Sequence, residues 1–169
     1  MDLRVAGVGK NLQDHVFANV AHADKAGIAP NVSPVNLLGW LARWALTSKG
    51  PLASTSAESG GFVRTRPEEK RPNLQFHFLP VASTQVSFDK ENFLPKGCAF
   101  SILPVLLYPK SRGTITLKSG DPAQAPAIDP RYFSDDDDMR VLVDGVRLAQ
   151  RIARSKVLDH CRGESLSPL

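Results

Sequence analysis

Three polar side chains, His15, Glu58 and His77, are the candidates for chemistry in this sequence. Each could put a proton-carrying or hydrogen-bonding group into a pocket. Imidazole is the side chain that titrates nearest neutrality, and a carboxylate can orient a hydroxyl. Nucleophilic catalysis has weaker support. Ser56 and Ser59 flank Glu58 but do not make the strained Gly-x-Ser-x-Gly elbow. His22 and His160 lie in unremarkable surroundings. Gly7-Val8-Gly9 begins like a dinucleotide fingerprint, yet the third glycine, which lets the helix pack against its strand, would fall at position 12, and that residue is Leu. A plain turn is the expectation there. Asp135 to Asp138 suggest a cation, but no calcium-loop glycine spacing accompanies them, and negative charge at a helix N-terminus explains them. Cys98 and Cys161 form no Cys-x-x-Cys and have no His/Cys cluster nearby, so neither zinc nor redox chemistry is indicated. Two buried free thiols are expected rather than a disulfide.

The elements that must hold these residues can be read from period and punctuation. Ser33-Pro34 offers an N-cap followed by proline at the first helical position. Leu37, Leu38, Leu41, Trp44 and Ala45 then share one face, and Gly50-Pro51 stops the helix. A second helix is expected after Ser134 as its cap, with Met139, Leu142, Val146, Ala149 and Ala153 as its apolar stripe. Between the helices, Leu74, Phe76 and Phe78 alternate with Gln75 and His77, which predicts a strand with one apolar and one polar face. Thr114 to Leu117 alternates likewise after the turn Lys110-Ser111-Arg112-Gly113. Phe100 to Tyr108 is a longer apolar run that Pro104 should confine to an edge or a bulge. His15 to His22 and Gly61 to Thr65 are further strand candidates. The fold class predicted is α+β, a mainly antiparallel sheet with a few packed helices.

A net charge of +4 spread over the chain excludes the dense basic patch of a nucleic-acid surface. The first ten residues have no apolar core for a signal peptide, and the longest apolar run, Ile102 to Tyr108, contains proline and is too short to cross a bilayer. A soluble protein is expected.

Five blocks carry a resemblance. They are Gly7-Val8-Gly9-Lys10-Asn11-Leu12-Gln13-Asp14-His15, Ala57-Glu58-Ser59-Gly60-Gly61-Phe62-Val63-Arg64, Arg71-Pro72-Asn73-Leu74-Gln75-Phe76-His77-Phe78, Pro109-Lys110-Ser111-Arg112-Gly113 and Asp129-Pro130-Arg131-Tyr132-Phe133. In that order and across nearly the whole chain, they resemble the glucose–methanol–choline (GMC) oxidoreductases, nearest the bacterial choline dehydrogenase and alcohol dehydrogenase branch.

The resemblance implies a substrate-binding domain forming one wall of a cavity over a flavin, with residues 1–15 as the tail of the junction to an FAD domain and 16–169 as the substrate domain, incomplete at its C-terminus. It implies FAD in the full-length enzyme, none held by this chain alone, and oxidation of a primary alcohol to its aldehyde by hydride transfer to the flavin. The catalytic histidine is expected beyond Leu169. His77 matches a cavity-lining histidine. His15 matches a position near the cavity, but Asp14 or a backbone group could equally hold it. Glu58 is expected as a buried structural hydrogen-bonder or a substrate contact. Choline-specific members carry a glutamate just after the His15 position, whereas Phe17 stands here, which points to uncharged alcohols. The expected partner is a small-molecule alcohol, with no nucleic acid. The expected location is the bacterial cytoplasm or the periphery of the inner membrane. The alternative is a non-catalytic module that keeps this fold and binds a small molecule or partner.

Overall fold

The computed structural model describes residues 5–31, 33–55, 57–81 and 98–168. Ser56 and Leu169 lie outside them. The larger body is a five-stranded antiparallel sheet built from β2 (Val20–Asp24), β3 (Ser59–Val63), β4 (Leu74–Leu79), β5 (Ala99–Leu106) and β8 (Arg162–Ser167). Their order across the sheet is β3-β4-β5-β2-β8. A second antiparallel sheet, β1-β6-β7, joins β1 (Lys10–Leu12), β6 (Gly113–Thr116) and β7 (Ala127–Asp129). Among the described residues two α-helices accompany them, α1 (Pro34–Thr47) and α2 (Asp136–Ala153). The class is the α+β expected from the sequence.

Helix α2 makes the core. It lies on one face of the large sheet, and the central cluster joins Val141, Ala149 and Ala153 to Val20, Leu74, Phe76, Ile102 and Leu106. The helix can approach closely because position 145 has no side chain. A Cβ there would lie 2.8 and 2.9 Å from the two methyls of Leu74 and 3.0 Å from Pro104 Cβ. Glycine costs helix stability but admits a close backbone approach. The inward residues are Asp138, Val141, Leu142, Gly145, Ala149 and Ala153. Met139, assigned to the stripe from sequence, is instead largely exposed, because the centre of the buried face runs one residue round the helix, through Asp138 and Gly145. The cap is also displaced by one residue. Asp135, not Ser134, is extended and accepts the Asp137 N–H at 2.9 Å, while Ser111 Oγ accepts the Asp135 N–H at 3.1 Å.

Pro104 occupies neither an edge nor a bulge. It is buried in the central strand β5, directly opposite Phe76. Its carbonyl accepts from the Ala18 N–H at 3.1 Å. A residue's N and O point to the same side of a strand, so the donor that proline lacks would also have faced Ala18. On that side the ladder reduces to the bridge Phe17–Val105, supported by a bond from the Leu106 N–H to the Val16 carbonyl, and regular β2 begins only at Val20. The strand foreseen over 15–22 therefore starts late.

Helix α1 has the predicted start: Ser33 Oγ accepts the Asn36 N–H at 3.2 Å and proline takes the first helical position. Its predicted apolar face does not enter a core. No residue of α1 is buried, and its one substantial neighbour among the described residues is the 3-10 turn Pro51–Ala53.

His22 lies on the α2 side of β2 and is buried, its ring stacked on Phe100 at 5.9 Å between centroids. Burial holds its pKa below the usual 6.5. The Gly163 backbone opposes that shift, and the charges of Arg162 and Arg154 add to it.

Two stability predictions follow from these contacts. Gly145→Val should destabilise the fold by about 1–3 kcal/mol through overpacking against Leu74 and Pro104; an unchanged urea midpoint would show that the helix stands off the sheet. The second concerns pH. With its folded pKa lowered, neutral His22 contributes stability that is complete above the unfolded value near 6.5, and it is lost as pH falls from there towards the folded pKa. The urea midpoint should drop between about pH 7.5 and about pH 5.5, and the drop should be smaller in His22→Gln. Equal drops in the two proteins would refute the assignment.

Candidate functional site

The face of the large sheet turned away from α2 has no helix over it among the described residues. Period two decides what it displays. Since Leu74 and Phe76 belong to the α2 core, Gln75, His77 and Leu79 point the other way. Register then sets their neighbours. One row runs Phe62, Gln75, Val105, Phe17; the next runs Gly60, His77, Leu103; a third pairs Leu79 with Ser101, which faces Ala21. His77 and Gln75 are half-buried and Phe62 and Phe17 exposed. The surface is thus an apolar wall carrying an imidazole, a carboxamide and the Ser101 hydroxyl, and Val105, Ser101 and Ala21 within it are buried. A Cβ at Gly60 would lie 2.3 Å from the Phe76 carbonyl oxygen, so β3 can pair this closely beside His77 only with glycine at that position. Such a wall can line an apolar ligand and offer it hydrogen-bonding groups.

The other two candidates are both exposed. His15 is exposed, and its backbone N–H donates to Asp14 Oδ1 at 2.8 Å. Asp14 also accepts from the Tyr132 hydroxyl, and this bond lowers the Asp14 pKa and raises that of Tyr132. Glu58 is exposed rather than a buried hydrogen-bonder; its Oε1 accepts from Ser54 Oγ at 2.6 Å. It sits one residue before β3, where the chain has not yet joined the sheet, so nothing among the described residues packs over it. His15 and Glu58 each bond to a near neighbour in sequence rather than to His77.

What does converge is a set of sequence blocks, and composition gave no sign of it. A small cleft is lined by Asp14, Pro109, Ser111, Pro130, Tyr132 and Asp138, among others. Its organiser is Asp138, which is 3% exposed. Its carboxylate accepts the backbone N–H groups of Lys110 at 2.7 Å and Ser111 at 2.9 Å. Next to it, Asp137 pairs with Lys110 Nζ at 2.8 Å and with Arg66 at 3.4 Å. Both cations, Lys110 first, hold the Asp137 carboxyl below its ordinary pKa. The aspartate run is therefore more than a cap: it fastens the turn before β6 to the start of α2. Among the described residues no group of three His, Cys, Asp or Glu could hold a metal. Both cysteines are free, Cys161 buried and Cys98 partly so.

With this geometry in view, the similarity to known proteins can be read. Residues 109–167 match the GMC oxidoreductase family model. An oxygen-dependent choline dehydrogenase of Ectopseudomonas mendocina is 38% identical over 164 residues, 96% of this chain and 28% of that protein. An alcohol dehydrogenase [acceptor] of Pseudomonas putida is 41% identical over 149 residues, 86% of this chain and 26% of that protein. Among solved structures, formate oxidase superposes with a TM-score of 0.78 at 20% identity, covering 95% of this chain and 32% of that one. Pyridoxine 4-oxidase from Mesorbium loti gives 0.69 at 19%, covering 95% and 28%. Residues 109–167 belong to the GMC oxidoreductase family, and the similarity to its members extends over nearly the whole chain. The chain spans little more than a quarter of the length of these relatives.

The described residues do not fit a dinucleotide's pyrophosphate. That group needs free backbone N–H donors at a helix N-terminus. The start of α1 is closed by Ser33, and the start of α2 by Asp135 with three further carboxylates in its first turn. Gly9, at φ +74°, serves a different close approach: its carbonyl accepts the Ile115 N–H at 2.7 Å, and a Cβ there would lie 2.1 Å from the Ile115 carbonyl oxygen. It is a turn packed on β6, as the sequence suggested.

Asp138→Ala should cost about 2–3 kcal/mol, since one buried and one part-buried N–H donor lose a charged acceptor. Asp138→Asn, which keeps an acceptor oxygen, should cost less. If the alanine variant melts with the parent, the carboxylate is not what fastens the turn.

Proposed function

We propose that this chain is the substrate-domain portion of an FAD-dependent enzyme that oxidises a primary alcohol to an aldehyde, and that the face of β3-β4-β5 opposite α2 is its contribution to the substrate cavity. The observation that carries the reading is His77, half-buried on the sheet face opposite α2, beside Gln75 and among Phe62, Leu103 and Val105. The similarity to a choline dehydrogenase and an alcohol dehydrogenase supports the reaction class. In this reading residues 1–15 lead in from the flavin-binding part, 16–169 form the substrate part, and FAD is held by residues other than those described.

The chemistry open to this chain is binding and orientation. The His77 imidazole can hydrogen-bond an alcohol hydroxyl, and Gln75 offers a second donor and acceptor. Phe17, bridged to Val105 at the end of the same row as Gln75, puts an aromatic ring on this face. That favours an uncharged alcohol over a quaternary ammonium one, although an aromatic face can still attract a cation. His15 and Glu58, both exposed, could contact substrate only from the margin of the wall. The proposed location is the bacterial cytoplasm or the inner-membrane periphery. No helix among the described residues is long and apolar enough to cross a membrane.

The decisive comparison is His77→Ala against Gln75→Ala in an enzyme of the relatives' full length. Losing the imidazole should lower kcat/KM by roughly ten- to a hundredfold, about 1–3 kcal/mol. Flavin content and melting temperature should barely change, because the core lies on the other face. Full kcat/KM in His77→Ala on every alcohol the parent oxidises would remove His77 from the site.

A further inference from the structure

The polar groups on the sheet face opposite α2 differ in burial. His77 and Gln75 are half-buried, whereas Ser101 is 3% exposed. Ile102 belongs to the α2 core, so Ser101 faces the other way with Leu103 and Val105. Its cross-strand neighbours there are Leu79 on β4 and Ala21 on β2. Ala21 and Ala99 are 0% and 4% exposed and, with Leu166, make a small apolar cluster separate from the α2 core. This end of the wall therefore has a floor of small side chains with one hydroxyl set in it.

Among the described residues nothing bonds that hydroxyl. Taking a hydroxyl out of water without a partner costs free energy, and buried polar groups are as a rule satisfied. Alanine would avoid the cost, and alanine already stands at the adjoining positions 21 and 99. Packing thus gives no reason for serine at 101, whereas a ligand bound on this face does. Register puts the group where it can take one. His77 is opposite Leu103, and Ser101 is two residues along the same strand, which makes it a diagonal neighbour of His77. Such neighbours lie about 7–8 Å apart, so an oxygen seated between them can be reached by both side chains. A substrate hydroxyl donates one bond and accepts two, and can engage the imidazole and the serine together. Gln75 lies on the other side of His77, in the row that ends in the exposed rings of Phe62 and Phe17.

We infer that Ser101 is a further substrate-binding residue. With His77 it brackets the alcohol oxygen at the buried, alanine-floored end of the wall, and the carbon chain runs over Leu103 and Val105 towards Phe17. That orientation rests on this face being part of a substrate cavity, and it sets which end of the face takes the hydroxyl.

The test compares Ser101→Ala, His77→Ala and the two together in an enzyme of the relatives' full length, on a series of straight-chain primary alcohols. Ser101→Ala should lower kcat/KM roughly three- to tenfold, the range for losing one hydrogen bond. Its melting temperature should equal the parent's or exceed it, because a hydroxyl without a protein partner leaves a buried site. A group that served only the fold would give the opposite pair of results. The double variant should be little worse than His77→Ala alone, since neither side chain holds the oxygen well without the other. Parental kcat/KM in Ser101→Ala would overturn the inference. So would a fall in its melting temperature, with or without lost activity, which would assign the hydroxyl to the fold. Losses that simply multiply in the double variant would show that the two side chains hold different groups. If Ser101→Ala is silent while His77→Ala is impaired, the cavity reading stands and this inference alone fails. If His77→Ala is silent and Ser101→Ala impaired, the assignment of His77 fails, and with it the shared oxygen.

Discussion

The structure depends on how close one helix can come to one sheet. Gly145 lets the backbone of α2 approach Leu74 and Pro104 on neighbouring strands, and that approach fixes which face of the sheet is core. Val141, Ala149 and Ala153 then meet Val20, Leu74, Phe76, Ile102 and Leu106. Small residues on the helix make the distance short, and large residues on the strands fill it. Every residue of β4 and β5 with the opposite phase is thereby sent to the far side, so the helix contact decides that His77 and Gln75 face away from the core.

Asp138 works at the start of the same helix. By accepting two backbone donors from the turn before β6, it ties the small sheet to the large one through α2. Tyr132 and Asp14 tie the segment after β7 to the lead-in of β2. The sequence blocks shared with the GMC family therefore divide between two tasks. Those around Gly60 and His77 build the open wall. Those around Asp14, Ser111 and Tyr132 join the sheets.

The legible parts of the fold were those where one period dominates. The alternation of Leu74, Phe76 and Phe78 gave β4 and the side on which His77 falls. The spacing from Leu142 to Ala153 gave α2. The misreadings have separate physical causes. Glycine scores as neutral in any apolar pattern, so Gly145 did not mark the inward face and Met139 took its place. Proline was read as unfit for a central strand, but it loses only one donor on one side, and the strand can stay central where its neighbour is irregular on that side. Carboxylates at a helix start looked like dipole compensation, which concealed Asp138 reaching to a turn distant in sequence. Glu58 carried no local signal of its exposure, because burial there depends on whether something packs over the entry to β3. The apolar period of α1 was real, but period says only that a face seeks cover and not what supplies it.

The gap beside Pro104 bears on how this family can diversify. Where a ladder is complete, altering a strand risks its register and with it the core. Residues 16–19 are spared that constraint, since proline asks no acceptor of them and their backbone is held by two main-chain bonds around the bridge at Phe17 and by Ser167 Oγ on the Asn19 carbonyl. The exposed Phe17 side chain can vary while Val20 onward keeps its pairing. The sheet thus carries a tolerant position at its rim, where a side chain can change at little cost to folding.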